Sequence, residues 1–247
     1  MKIATLTRTP FILLSTFIFS SAIIPATAQD SLLHTITWNK RTLPPAPHKK
    51  YLSIRSLAAP TALISYGFIS MHSEPLLNLN NKIREEVTED MPSFQTKVDN
   101  YLKYAPLATV YTLNVLGVKG RHKLFGRTAI YIMSSVLTNQ VVTKLKSSTK
   151  QLRPDGSTYT SFPSGHTATA FVGAELMNQE FGSRSPWYSV AAYTMAAGTA
   201  LLRVMNNRHW LSDVIAGAGI GILSTKFCYW IYDKLERKKY LLKKIIY

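Results

Sequence analysis

Ala200-Leu-Leu-Arg-Val-Met-Asn-Asn-Arg-His-Trp-Leu-Ser-Asp-Val-Ile-Ala-Gly-Ala-Gly-Ile-Gly221 is the stretch on which the fold turns. An apolar run, 187–204, stops at a polar turn, and a second, 210–232, begins at once. Both have helical length, and neither alternates as a half-buried strand does. His209 and Asp213 are four residues apart where the second run opens, so they share a helical face. The turn therefore gathers Arg203, His209 and Asp213 at the ends of two neighbouring helices.

Working outward, four more runs of this kind cover 57–71, 104–119, 126–145 and 166–181, with no repeat or low-complexity tract. The expected fold is all-α: a helical bundle of about six core helices over 56–232, its active site at the helix ends on one face. Between the first two runs lies a charged segment, 73–102. There Leu76, Leu77, Leu79, Ile83 and Val87 fall near one helical face, and Asp90-Met91-Pro92 ends it. Residues 1–28 read as a signal peptide. Lys2 and Arg8 lead an apolar stretch, and Ala26-Thr27-Ala28 offers a small-x-small cleavage site after Ala28. Residues 29–55 read as an irregular basic arm with Pro44, Pro45 and Pro47, and 233–247 as a basic C-terminal tail.

The 247 residues carry a formal net charge of +16, and loss of Lys2 and Arg8 with the leader leaves +14. Such a surplus suits nucleic acid, anionic lipid or a phosphorylated substrate, and export argues against nucleic acid. Cys228 is the only cysteine, so no intramolecular disulfide is possible. No zinc-like spacing, calcium loop or phosphate-cradling glycine loop occurs, and no metal or other cofactor is expected.

Basic clusters fix an orientation. Lys119, Arg121, Lys123 and Arg127, then Arg184, then Lys234, Arg237, Lys238, Lys239, Lys243 and Lys244 fall on the cytoplasmic side by the positive-inside rule. Segments 146–165 and 203–209 then face the periplasm. Five spans plus one peripheral helix, 57–71 with Pro60, satisfy this orientation. A soluble or monotopic bundle is the alternative, because 166–181 carries Glu175, Asn178 and Glu180.

Three stretches fall on the outward side: Lys146-x6-Arg153-Pro154, Pro163-Ser164-Gly165-His166, and Arg203-x5-His209-x3-Asp213. Singly they are ordinary: a solvated helix end, a helix cap, an i,i+4 surface pair. Together they ask for a phosphate. Lys146, Arg153 and Arg203 supply three cations, and arginine adds forked donation. Ser164 and the Gly165 amide stand at a helix N-terminus, where free N–H groups and the dipole favour an anion. Asp213 can hold one ring N–H of His209 and leave the other nitrogen to attack phosphorus. His166 can protonate the departing oxygen and then deprotonate water.

These motifs, in this order, resemble the signature of the type 2 phosphatidic acid phosphatase superfamily, which also holds class A acid phosphatases and vanadium haloperoxidases. The resemblance covers roughly 56–232. It implies a metal-independent phosphomonoesterase with His209 as nucleophile, Asp213 orienting it and His166 as general acid. Lys146, Arg153, Ser164, Gly165 and Arg203 then hold the phosphate. Leu202 departs from the Ser or Gly that often precedes the third-motif arginine. A weaker resemblance, in Asn207-Arg208-His209-Trp210-Leu211-Ser212-Asp213-Val214 and Ala216–Gly221, is to the membrane-associated branch with lipid A 4′-phosphatases. That implies a phosphorylated lipid substrate at the periplasmic face of the inner membrane; lipid A is favoured, with undecaprenyl pyrophosphate or a phosphatidyl phosphate as other candidates. Arg208 and Lys150 are further cations that could read extra substrate charge. A nonspecific periplasmic acid phosphatase and a noncatalytic, basic membrane-binding protein with a relic site are the competing readings.

Overall fold

The computed structural model describes residues 52–246. The expected signal peptide, 1–28, and the basic arm as far as residue 51 lie outside the described residues. Eight helices and no strands occur among the described residues. They are α1 Ile54–Ser70, α2 Glu74–Asp90, α3 Asp99–Leu102, α4 Ala105–Val115, α5 Leu124–Thr149, α6 Gly165–Phe181, α7 Pro186–Met205 and α8 Leu211–Ile246.

Local chemistry sets their ends. Ser53, Ser164 and Ser185 cap α1, α6 and α7 by accepting from the main chain of Ser56, Thr167 and Trp187. Pro75 and Pro186 occupy first turns, where no amide hydrogen is needed. Each of the six apolar runs overlaps one of α1, α4, α5, α6, α7 and α8. The charged segment yields two more, and α2 stops at Asp90 before Pro92 as its sequence implies.

α6 and α8 form the centre, and α4, α5 and α7 surround α6 while α1 lies along α8. Glycine makes the central contact possible. A Cβ on Gly217 would lie 2.6 Å from the Ser164 carbonyl oxygen, and one on Gly221 would strike the Ala168 carbonyl. Gly219, on the opposite face of α8, meets the Pro60 carbonyl of α1 in the same way, at 2.6 Å. The small-residue run Ala216–Gly221 is thus a two-sided packing surface. The apolar core sits beside it, around Ile130, Leu176, Met177, Phe181 and Tyr229.

Three expectations need correction. The run 104–119 contracts to α4, 11 residues or about 16 Å, against about 30 Å of hydrocarbon. No single helix there crosses a bilayer, and the arrangement with five spans falls. Among the described residues one helix, over Leu211–Lys238, is long and apolar enough to cross by length and composition, and 67% of its window is buried inside the protein. Second, the charges of α6 do not mark a water-facing helix. Glu175 is buried with Lys226 at 2.8 Å and with Gln179 and Tyr193. Glu180 is buried with Arg127 Nε at 3.1 Å, His122 Nδ1 at 2.8 Å and Tyr229. Third, residue 232 is no helix end, because α8 continues through the basic segment to Ile246.

Between the end of α6 and the middle of α8, His122 bridges Glu180 and Asp233, 2.8 and 2.9 Å away. Burial works against its charge, but the two carboxylates outweigh it and push His122 up to about 9. The link fastens the α4–α5 connection to α6 and α8.

Gly217→Ala is expected to destabilise the bundle by about 1–3 kcal/mol, because the new methyl meets main chain that cannot yield. Gly198→Ala, whose Cβ would meet only Leu102 at an ordinary 3.5 Å, should be neutral or slightly stabilising. Thermal midpoints of the two purified variants check this pair.

Candidate active site

Four helix ends meet at one pole: the last turn of α5, the first of α6, the last of α7 and the first of α8. Between α5 and α6 the chain must reverse. Lys150 ends α5 in the left-handed region (φ 46°), its amide bonding to the Lys146 carbonyl at 3.2 Å. The 150–163 loop then folds back on itself, with Ser161 N to Gln151 O and Arg153 N to Thr158 O both 3.0 Å. Trp210 Nε1 donates to the Leu152 carbonyl at 2.9 Å and pins this loop to the start of α8. Between α7 and α8 the reversal uses Asn207 in the left-handed region (φ 54°).

Asp213 organises what these turns present. Its Oδ2 faces His209 Nδ1 at 3.2 Å, the Trp210 amide at 3.0 Å and the Ser161 hydroxyl. Its main-chain oxygen accepts from Ser164 N at 3.0 Å, which ties the cap of α6 to α8. With Nδ1–H given to Asp213, His209 keeps Nε2 as a free lone pair. His209 and Asp213 are both buried.

The cations surround this pair. Lys146 Nζ donates to the carbonyls of Ser161, at 3.0 Å, and Thr160, and so leaves one donor of its three. Arg203 NH1 binds Asp99 Oδ2 at 2.7 Å, while its Nε is buried without a protein acceptor. Arg153 Nε is likewise buried without a protein acceptor. Such donors cost free energy unless an anion meets them, and here they belong to planar groups suited to phosphate oxygens. Arg208 is spent on Asp155 at 2.9 Å. The Ser164 hydroxyl accepts from Thr167 Oγ1 at 3.0 Å, so it caps the helix and still has its own proton to give.

His166, in the first turn of α6, is half-buried. Its Nε2 lies 2.7 Å from Asn100 Oδ1 and 3.4 Å from Lys103 Nζ. Electrostatics join the pieces. Burial, with help from Arg203 and Lys103, pushes His166 down to about 4. Burial also holds His209 at about 4 against the opposing pull of Asp213. Burial and then Arg153 bring Lys146 down to about 8. Burial and then Arg203 lower Arg153. All eight residues singled out in the sequence, Lys146, Arg153, Ser164, Gly165, His166, Arg203, His209 and Asp213, therefore come to this pole. Arg208 pairs with Asp155 and donates its main-chain N–H to the Arg203 carbonyl at 3.1 Å, and the Leu202 carbonyl accepts from Asn206 at 2.9 Å in the turn that ends α7.

Several partners had no sequence signal. Asp99, Asn100 and Lys103 arrive from α3 and its end, and Asn206 locks that segment by bonding Thr96 and Asp99. Asn80 of α2 accepts the Ser212 amide at 3.2 Å and donates to its hydroxyl at 3.0 Å. Only Asn80 left a trace, as a polar residue among the apolar positions of α2.

Residues 127–237 match the PAP2 superfamily. A lipid A 1-phosphatase of Porphyromonas gingivalis is 44% identical over 174 residues, 67% of this chain and 39% of that protein. The chain thus spans well under half the length of this curated relative, whose name gives the 1-phosphate where the sequence resemblance ran to 4′-phosphatases. The crystal structure of a transmembrane PAP2-type phosphatidylglycerolphosphate phosphatase from Bacillus subtilis shares the helical fold. It is 19% identical with a TM-score of 0.51 and covers 73% of this chain and 96% of its own. That of Aquifex aeolicus LpxE is 21% identical with a TM-score of 0.45, covering 59% and 93%.

The two lowered histidines give stability a pH dependence. Above pH 6.5 both are neutral folded and unfolded; from 6.5 toward 4 the unfolded chain takes up protons that the folded chain refuses. Stability should therefore fall as pH drops through that window. His122 works the other way: its contribution is complete below 6.5 and disappears as pH rises through about 9. Thermal midpoints from pH 4 to 10 should show both flanks, with His209→Gln reducing the acid one and His122→Gln the alkaline one.

Proposed function

Because this chain carries a PAP2 superfamily domain, we propose that it is a phosphatase that cleaves a membrane-lipid phosphate, the 1-phosphate of lipid A first, through a phosphohistidine on His209. The carrying observation is the pair of buried arginine Nε donors, on Arg153 and Arg203, without protein acceptors in the cluster around a neutral, carboxylate-held imidazole.

The reaction runs in two displacements. His209 Nε2 attacks phosphorus while Asp213 holds the Nδ1 proton and balances the charge forming on the ring. The bond from phosphorus to the leaving oxygen breaks, and that oxygen takes a proton from His166 Nε2. Water then gives its proton back to His166 as its oxygen attacks the phosphohistidine, the N–P bond breaks, and inorganic phosphate departs. Lys146, Arg153, Arg203 and the first amides of α6 hold the equatorial oxygens. In the free protein His166 is held neutral, the wrong state for an acid. A bound phosphate dianion offsets the cations responsible, so substrate binding itself raises His166 toward its working form.

Lipid rather than a soluble ester is favoured by the surface. Phe125, Ile132 and Val136 of α5 and Trp187 and Val190 of α7 expose large apolar side chains. The 1-phosphate is favoured by the relative's name. The basic clusters fall at the helix ends opposite the reactive pole, which supports membrane attachment with that pole toward the periplasm.

Purified protein in detergent with EDTA should release phosphate from lipid A, from the 1-position before the 4′-position. His209→Ala should reduce this by roughly 10³-fold or more. His166→Ala should cost roughly 10²–10⁴-fold on lipid A but far less on p-nitrophenyl phosphate, whose leaving group needs no proton. Turnover of p-nitrophenyl phosphate with none of lipid A would instead make this an acid phosphatase of soluble esters.

A further inference from the structure

α3 brings to the site a side chain that lies outside all three motifs. Lys103, at the end of α3, has its ammonium 3.4 Å from His166 Nε2 and 4.9 Å from the centre of the Tyr104 ring, and it is half-buried. The same ring nitrogen touches the Asn100 amide oxygen at 2.7 Å. An amide oxygen only accepts, so Nε2 carries the proton, and that proton is the one available to a leaving group. Asn100 Oδ1 stands where a leaving oxygen must come. Lys103 is therefore placed differently from the other cations. Lys146 and Arg153 cluster with His209 and Asp213, where the transferred phosphate would sit, and Arg203 faces both that cluster and His166. Lys103 alone among these cations touches the His166 ring nitrogen, on the side from which the leaving group would depart.

We propose that Lys103 is a specificity-determining residue that reads the charge of the leaving group and favours substrates whose leaving group is an anion, a diphosphate over a monophosphate of the same lipid. This rests on the phosphatase reading above. With a diphosphate, His209 attacks the terminal phosphorus and the bond to the bridging oxygen breaks. The electron pair goes to the departing lipid monophosphate, whose oxygen takes the His166 proton. The extra negative charge then develops beside the Lys103 ammonium, in a half-buried setting where screening is weak. A neutral alcohol leaving from a monophosphate brings no such charge. The segment is held firmly enough to discriminate: Asp99 is bound to Arg203, and Asn206 ties Thr96 and Asp99 to the end of α7.

The groups facing His166 are Asp99, Asn100 and Lys103 from α3 and its end, Arg203 from α7, and His209 from the turn before α8. Of these, Lys103 can be removed while Arg203 and its carboxylate partner stay. Loss of one cation should let His166 rise, so the alkaline limb of the pH–rate profile moves to higher pH.

The test uses farnesyl diphosphate and farnesyl monophosphate, which share a lipid and differ in the charge of the leaving group. Wild-type protein should prefer the diphosphate in kcat/KM. Lys103→Met should lower the diphosphate-to-monophosphate ratio about tenfold and shift the monophosphate alkaline limb upward, while Lys103→Arg keeps both near wild type. Equal losses on the two substrates with an unmoved pH profile would overturn the assignment and leave Lys103 a structural residue. Should wild-type protein turn over neither, the phosphatase reading is the one in trouble. Calorimetric binding of inorganic diphosphate and phosphate then decides this proposal separately. Selective weakening of diphosphate by Lys103→Met supports it, and equal affinities in wild type and variant overturn it.

Discussion

Asp213 holds the reactive pole together. One buried carboxylate oxygen receives the His209 ring, the Trp210 amide and the Ser161 hydroxyl, and the main chain of the same residue receives Ser164. Three separate stretches, the 150–163 loop, the start of α6 and the turn before α8, are thus referred to a single point. A charge so buried costs heavily unless paired and hydrogen-bonded, so the segments that satisfy it are constrained to remain. The position of His209 follows from that constraint, and the cap of α6 shares it.

The bundle beneath keeps this point fixed through contact between main chains. Gly217 and Gly221 let α8 press on the Ser164 and Ala168 carbonyls, so the ends carrying His209 and His166 cannot drift apart without opening the core. The far pole is closed differently, by Glu180 and Asp233 around His122, with Arg127 and Arg121 joining them. At that far pole each of the three cations, Arg121, His122 and Arg127, has a carboxylate partner in Glu180 or Asp233. The other pole leaves the Nε donors of Arg153 and Arg203 buried without a protein acceptor around the His209–Asp213 pair.

Burial, and after it the surrounding cations, governs protonation. His209 and His166 are both held neutral for the same reasons, burial and nearby positive charge; under the proposed mechanism that suits His209 as nucleophile but not His166 as acid. An arriving dianion reverses this most directly for His166, since it offsets the charge of Arg203 and Lys103. Under the proposed mechanism binding and acid strength are coupled through these cations, of which Lys103 comes from the α3 segment, outside the motifs.

Legible in the chain alone were the all-α class, most helix ends and the eight residues that gather at the candidate site. Those depend on interactions a few residues apart: the i,i+4 spacing of His209 and Asp213, the Ser164 cap, and the stop at Asp90-Met91-Pro92. The tertiary structure alone decided that Glu175 and Glu180 lie inside the bundle, since their partners Lys226, Arg127 and His122 are some fifty residues away in the chain. It decided that α4 is too short to span, and that α8 runs on through its basic end. It also brought Asp99 to Arg203 and Asn100 and Lys103 to His166, across gaps of 104, 66 and 63 residues. No periodicity or cap encodes such pairings. They exist because helix packing brings remote side chains to one pole, and burial then leaves each charge only those neighbours to answer it.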